Sequence, residues 1–262
     1  MRMLIFGAAM AALCVGMQPA ANQDHVDPQQ IIQKFAAKEA EFREARNNYT
    51  YRQTVKMEEL DMGGNPSGGK WEEVDDIIFS PDGKRAEKVI YAPVISLQHI
   101  NLDPEDVKDL RDVQPFVLTT SDIPKYQIDY LGREKLDEIG CYSFSVKPKK
   151  MVKGERYFEG QIWVDDRDLQ IVKTNGKGVG LIGKEHQFPK FETYREQIDG
   201  RYWFPTYTHA DDTLHFKDSD QRIRMTVKYQ DYKRYEGRST IRFGGVVDDK
   251  KGTTEPPATK KK

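Results

Sequence analysis

The most constraining feature of this chain is a period of two, broken only by turn-like segments, that recurs from Tyr49 to Tyr235. Successive side chains of a strand point to opposite faces, so alternating apolar and polar residues mark strands with one face buried. The pattern runs through Tyr49–Val55, Trp71–Phe79, Tyr126–Leu136, Cys141–Val146, Tyr157–Val164, Leu169–Thr174, Phe191–Ile198, Tyr202–Thr208 and Ile223–Tyr235. Parallel strands need long, usually helical crossovers, and none separates the last seven runs, so antiparallel pairing in a long meander is expected. The sharpest joint is Asp199-Gly200, two residues of the kind that accept positive φ between two strand-like runs. Asp165–Asp168 and Pro81-Asp82-Gly83 read as further turns, and Gly63–Gly69 as a loop. Pro205 has no N–H to give to a ladder, so its strand should carry an edge or a bulge there.

Two segments follow a different period. Asp27-Pro28 is a cap followed by a first-turn proline, and Ile31, Ile32, Phe35, Phe42 and Ala45 then recur near helical spacing. One amphipathic helix to about Asn47 is expected, with Lys34, Lys38, Glu39, Glu41, Arg43 and Glu44 on its polar face. Asp103-Pro104-Glu105-Asp106 repeats the signature and leads into Val107 and Leu110, which predicts a second, short helix. No domain boundary is visible between Asp27 and Phe243.

The ends read differently from the body. Arg2 is the only charge before Asp24, and Met3–Met17 is an unbroken run of apolar and small residues. That is the layout of a secretory signal peptide, too short for a membrane span, with cleavage expected between Gly16 and Ala21. Leu13 stands where a lipoprotein signal needs a small residue before Cys14, which argues against lipidation. Residues 246–262 have almost no apolar content and are expected to be a disordered, solvated tail. With 32% charged residues the rest leaves no room for several spans, and 41 Lys+Arg against 42 Asp+Glu lack the basic excess of a nucleic-acid binder. Two cysteines cannot build a disulfide framework or zinc ribbon, and Cys141 reads as a small buried hydrophobe.

No pattern makes a convincing catalytic or cofactor site. Gly178-Val179-Gly180-Leu181-Ile182-Gly183 matches a dinucleotide fingerprint, but Lys184–Pro189 cannot form the helix whose N-terminus would hold pyrophosphate, so a loop between strands is expected. His209, Asp211 and His215 have metal-ligand chemistry and define a metal-assisted hydrolase as the least favoured reading; Asp211-Asp212 looks like a turn that leaves His215 unplaced. The pairs Asp165-Asp166 and Asp211-Asp212 cannot face each other across a scissile bond, because neighbours on a strand point opposite ways. The serine elbow G-x-S-x-G is missing. What stands out is the apolar face of three strands: Tyr126, Ile128 and Tyr130 on one, Tyr142 and Phe144 on the next, Phe158 and Ile162 on the third. These seven side chains are candidates to line a ligand cavity; they would equally fill a core, and periodicity does not separate the two.

The run from Gly132 to Lys149 (GREKLDEIGCYSFSVKPK) and the next, Phe158–Asp165 followed by Leu169–Lys173, resemble successive strand pairs of the outer-membrane lipoprotein-sorting (LolA-like) superfamily. The resemblance implies a mainly β (α+β) fold, a curved antiparallel half-barrel with the N-terminal helix and the short second helix over its concave face. Together with the reading of the two ends it gives residues 1–21 as a cleavable signal peptide, 22–245 as the half-barrel domain and 246–262 as the tail. It further implies a non-enzymatic periplasmic carrier without cofactors, holding the acyl chains of a lipid or lipoprotein and exchanging them with a membrane-bound donor or acceptor protein. A related branch senses envelope stress by binding a membrane protein, so a sensor or scaffold is the alternative. The polar stretch Leu181–Arg201 departs from a minimal carrier, and Tyr194 and Arg195 within it are candidates for partner contact.

Overall fold

The computed structural model describes residues 27–79, 84–104, 106–107, 110, 113–181 and 188–235. The expected signal peptide, the polar tail, the Pro81–Gly83 turn and the last two residues of the glycine fingerprint, Ile182 and Gly183, lie outside these residues. Asp27 caps the helix α1 (Pro28–Arg46) by accepting from the N–H of Gln29 at 3.0 Å and of Gln30 at 3.3 Å, with proline in the first turn. Ten strands follow: β1 (Tyr49–Leu60), β2 (Pro66–Phe79), β3 (Arg85–Tyr91), β4 (Tyr126–Leu136), β5 (Ile139–Pro148), β6 (Tyr157–Asp165), β7 (Ile171–Val179), β8 (Phe191–Ile198), β9 (Tyr202–His215) and β10 (Asp220–Arg234). They form one open sheet in the order β3-β2-β1-β10-β9-β8-β7-β6-β5-β4, antiparallel throughout. The first long strand thus pairs with the last, and the meander from β4 to β10 returns to it.

The turn chemistry is as the sequence requires. Asp199 and Gly200 take φ of 55° and 65° between β8 and β9. Asp165 Oδ1 accepts from the N–H of Arg167 and Asp168, closing the β6–β7 turn. Pro205 faces Arg195 across a register shift in the β8–β9 ladder, and the β9–β10 ladder stops at Tyr207, so no hydrogen bond is asked of the missing N–H.

Several expectations need correction. β3 was not anticipated: its residues run from half-exposed to exposed, so this sheet edge has no buried face to impose alternation. β2 starts at Pro66, inside the expected glycine loop, proline being tolerated as the first residue of a strand. Asp211 and Asp212 are not a turn; β9 continues to His215 and the turn lies beyond it, where the Phe216 N–H donates to the Ser219 carbonyl. Gly178 belongs to β7 rather than to a loop.

The core lies between the concave face of the sheet and the segments that cross it. Helix α1 buries Ile31, Ile32, Phe35, Ala36, Glu39 and Phe42. Phe35 meets Phe144 of β5, and Phe42 meets Phe204 of β9 edge-on at 5.1 Å. The segment after β3 supplies a second cover. Pro104, Asp106, Val107 and Leu110 are helical, capped by reciprocal bonds between Asp103 and Asp106, in line with the expected short helix. Farther on, Phe116 stacks on Phe158 of β6 at 4.4 Å. Phe158 lies over glycines of two strands: a Cβ on Gly176 would sit 2.6 Å from its Cζ, so only glycine leaves room for the ring. On the convex face Cys141, Trp163 and Val172 form a smaller apolar cluster with Trp203. Burial there pushes the Cys141 thiol up to about 11, which makes it inert at neutral pH.

Candidate functional site

The seven sequence candidates come together, at the β4–β6 end of the concave face. Tyr126, Tyr142, Phe144, Phe158 and Ile162 are buried, with Ile128 and Tyr130 packed against them at the margin. Phe35 and Phe116 pack above them, and a small pocket of about 150 Å³ bordered by Phe116, Tyr126 and Phe158 opens beside that contact.

A larger hollow than this one lies elsewhere. Between the far strands and the loop after β3 lies a cavity of about 360 Å³. Its floor is Met57 of β1, Trp71 of β2, Phe191 of β8, Leu214 of β9, and Ile223 and Met225 of β10. Ile100, Leu102 and Leu110 close it from above, Phe188 and Phe216 from the side. Polar groups are few: His99, Asn101, Asp103, Asp106 and Gln114. None of the seven candidates borders it. The floor residues were legible in principle, since Met57 continues the inward face of Val55, and Ile223 and Met225 that of Val227 and Tyr229. Their partners on the loop follow no period and give no such signal.

The loop is held by one carboxylate. Glu59, near the end of β1, has a fully buried side chain that accepts from three consecutive backbone N–H groups: Gln98 at 3.0 Å, His99 at 2.7 Å and Ile100 at 3.1 Å. The His99 ring adds Nδ1 at 3.3 Å. Burial alone would raise the Glu59 pKa, but the His99 and Gln98 N–H groups and the ring outweigh it and hold the group below its ordinary value. Gly69 of β2 makes the approach possible, because a Cβ there would lie 2.0 Å from Glu59 Oε2. Just upstream, the Ser96 N–H donates to the Lys70 carbonyl and its Oγ accepts from the Lys70 N–H, so the chain first runs along β2 and then crosses the concave side.

A second buried carboxylate fixes the other cover. Glu39, expected on the polar face of α1, is fully buried; it accepts from Arg195 Nη1 at 3.1 Å through each oxygen and from the Ile171 N–H. Arg195 Nη2 donates to the Phe116 carbonyl, and the guanidinium lies over the Phe42 ring. One ion pair therefore ties α1, β7, β8 and the 113–119 segment together. This corrects the reading of Arg195 as a partner contact; its side chain is 1% exposed. Desolvation raises the Glu39 pKa, with Arg195 opposing it. Tyr194 remains exposed on the opposite face beside Glu192 and Lys173.

The metal candidates do not converge. His209, Asp211 and His215 share one face of β9, but six residues at ~3.3 Å each put the histidines ~20 Å apart. Asp211 is engaged by Arg222 and Arg224 at 2.9 and 3.0 Å, which overcome its burial and keep its pKa low, while His215 pairs with Asp220. Among the described residues no group of three ligand-type side chains is placed to hold an ion. No helix among them is long and apolar enough to cross a membrane.

No family model matches the chain, and no curated protein does. It is similar to solved structures. A DUF1329 family protein from Desulfovibrio piger is 17% identical, over 82% of this chain and 96% of that one, with a TM-score of 0.42. A LolA superfamily protein from Nitrosomonas europaea is 13% identical over 79% and 93%, with a TM-score of 0.36. An outer membrane lipoprotein-sorting protein domain from Vibrio parahaemolyticus is 13% identical over 78% and 94%, with a TM-score of 0.33.

Proposed function

We propose that this protein is a non-enzymatic carrier of the cell envelope that holds the acyl part of a lipid or lipoprotein on the concave side of its sheet. The observation that carries the reading is the largely apolar hollow over β1, β2, β9 and β10, roofed by a loop that polar bonds at Glu59 and Ser96 anchor. At ~30 Å³ for a water-sized group, 360 Å³ takes about a dozen such groups, roughly one short acyl chain. At ~0.8 kcal/mol per buried methylene, that chain gains on the order of 10 kcal/mol before the cost of association is set against it. Such affinity needs no catalytic residue, and release to a membrane-bound acceptor needs only that the roof lift. Export to the periplasm, with residues 1–21 removed, belongs to this reading.

Organic extraction of protein purified from its native envelope, followed by mass spectrometry, is expected to recover a stoichiometric lipid. Trp71 supplies a second readout, since it lines the cavity whereas Trp163 and Trp203 belong to the convex cluster. Dodecanoic acid should change the fluorescence of the wild-type protein and not that of Trp71→Phe. Protein that is lipid-free on extraction and silent on titration overturns the carrier reading. One observation favours the sensor or scaffold alternative: β3 ends the sheet with Val89, Ile90 and Tyr91 exposed, followed by Val94 at 94% exposure, an edge suited to pairing with a strand of another protein. Recovery of one stoichiometric protein on an empty cavity would support that role instead.

A further inference from the structure

Of the cavity's polar lining residues, His99, Asn101, Asp103, Asp106 and Gln114, only Gln114 is buried. Gln114 is 4% exposed, borders the cavity, and has its Oε1 buried without a partner among the described residues. Its Nε2 meets only the Met225 thioether sulfur, at 3.8 Å, a weak acceptor. The backbone is well fixed, because the Gln114 carbonyl accepts from Thr193 Oγ1 of β8, itself bonded to Thr208. The amide is therefore held at the sheet floor with both ends undersupplied. His99, by contrast, has a side chain 55% exposed and stands at the mouth. A buried amide left so costs free energy in a site meant for bare hydrocarbon, and a leucine or methionine would serve that purpose better.

We infer that the occupant of this cavity carries a hydroxyl group on its chain where the chain passes Gln114, so that the ligand is a single-chain hydroxylated amphiphile rather than a plain acyl chain. A hydroxyl both donates and accepts; it satisfies Oε1 or Nε2, whichever way the amide is turned. The inference rests on the carrier reading and adds a specificity-determining residue to it.

The test is a titration of wild-type protein with dodecanoic acid and with its positional hydroxy isomers, read by Trp71 fluorescence and by native mass spectrometry. A hydroxyl buried without a partner weakens binding, so isomers that miss Gln114 should bind worse than the parent acid, while one that meets it should bind on the order of tenfold tighter. Gln114→Met should abolish that preference, so that no hydroxy isomer binds it more tightly than dodecanoic acid does. If no isomer exceeds the parent acid on wild-type protein, the inference is overturned and the carrier reading stands. If Gln114→Met retains the preference, Gln114 is not its source and the inference fails equally. Binding of none of these acids, with no lipid extracted, removes the carrier reading and this inference with it.

Discussion

Replacing Glu59 by alanine should detach the roof of the cavity while leaving the sheet intact. Three N–H groups, those of Gln98, His99 and Ile100, would lose a charged acceptor. Hydrogen bonds to charged groups are each worth ~1.5–3 kcal/mol, and a buried donor left unpaired costs a similar amount. Three together exceed what a short loop with three partly buried apolar side chains, Leu97, Ile100 and Leu102, would retain, so the segment should open to water rather than stay with unpaired donors. Opening should stop at Ser96, whose bonds to Lys70 do not involve the carboxylate. Hydrogen exchange checks this residue by residue: amides 98–100 should lose at least ~100-fold of their protection in Glu59→Ala. Those of β1 and β10 should keep theirs, and a bound dodecanoate should leave at least ~10-fold faster. Gly69→Ala should act in the same direction by displacing Glu59 Oε2. Wild-type protection at 98–100 in Glu59→Ala would refute the reasoning, for it would mean that side-chain packing alone holds the roof.

The same carboxylate sets a pH dependence. Its folded pKa lies below the ordinary value, so its contribution is complete above the unfolded value of ~4.3 and is lost as pH falls through the folded one. Ligand release should thus be flat above about pH 5 and accelerate only in acid, and acceleration between pH 6 and 8 would contradict this. Breaking the other buried pair, by Glu39→Ala or Arg195→Ala, should cost ~3–5 kcal/mol in urea unfolding, because each leaves a charge in the core. The two losses should be strongly non-additive in the double variant, and independent effects would argue against a direct pair. Gly176→Val should lower the thermal midpoint and disturb the Phe158–Phe116 stack, visible in near-ultraviolet dichroism, since the Glu159 carbonyl would sit 2.3 Å from the new Cβ.

Most of the sheet was legible in the sequence because most of its strands bury one face only, and one-sided burial is what a period of two records. β4 and β8 match the expected runs residue for residue, and Asp27 caps the helix as the spacing required. The errors fall where that logic has nothing to act on. Edge strand β3 buries neither face. Glu39 defied the helical pattern because an ionised partner, Arg195, awaited it 156 residues away, and a hydrophobicity pattern scores every carboxylate as solvent-facing. The Glu59 latch was invisible for the same reason: its acceptors are satisfied by backbone N–H groups, which carry no residue identity. The cavity depends on that latch, so the sequence offered its apolar floor without saying which part of the concave face stays uncovered.

The division between a closely packed end and a hollow one follows from how the two covers are anchored. Helix α1 is pinned by its buried pair against β7 and β8, and its phenylalanines reach β5 and β9. Phe42 also meets Tyr49 at the start of β1, which leaves β2 and the distal ends of β1, β9 and β10 beyond the helix's reach. Among the described residues the main segment over that corner is the chain after β3; polar bonds at Glu59 and Ser96 anchor it, and Leu97, Ile100 and Leu102 are only partly buried against the core. A cover fixed at its rim can stand off the surface beneath it, whereas one fixed by packing cannot. Replacing Ile100 by phenylalanine should therefore be tolerated in folding, with a thermal midpoint close to wild type, yet should fill the hollow and weaken dodecanoate binding by on the order of tenfold. If Ile100→Phe unfolds the protein as a core overpacking does, the roof is part of the packed core and the space beneath it is not a binding site.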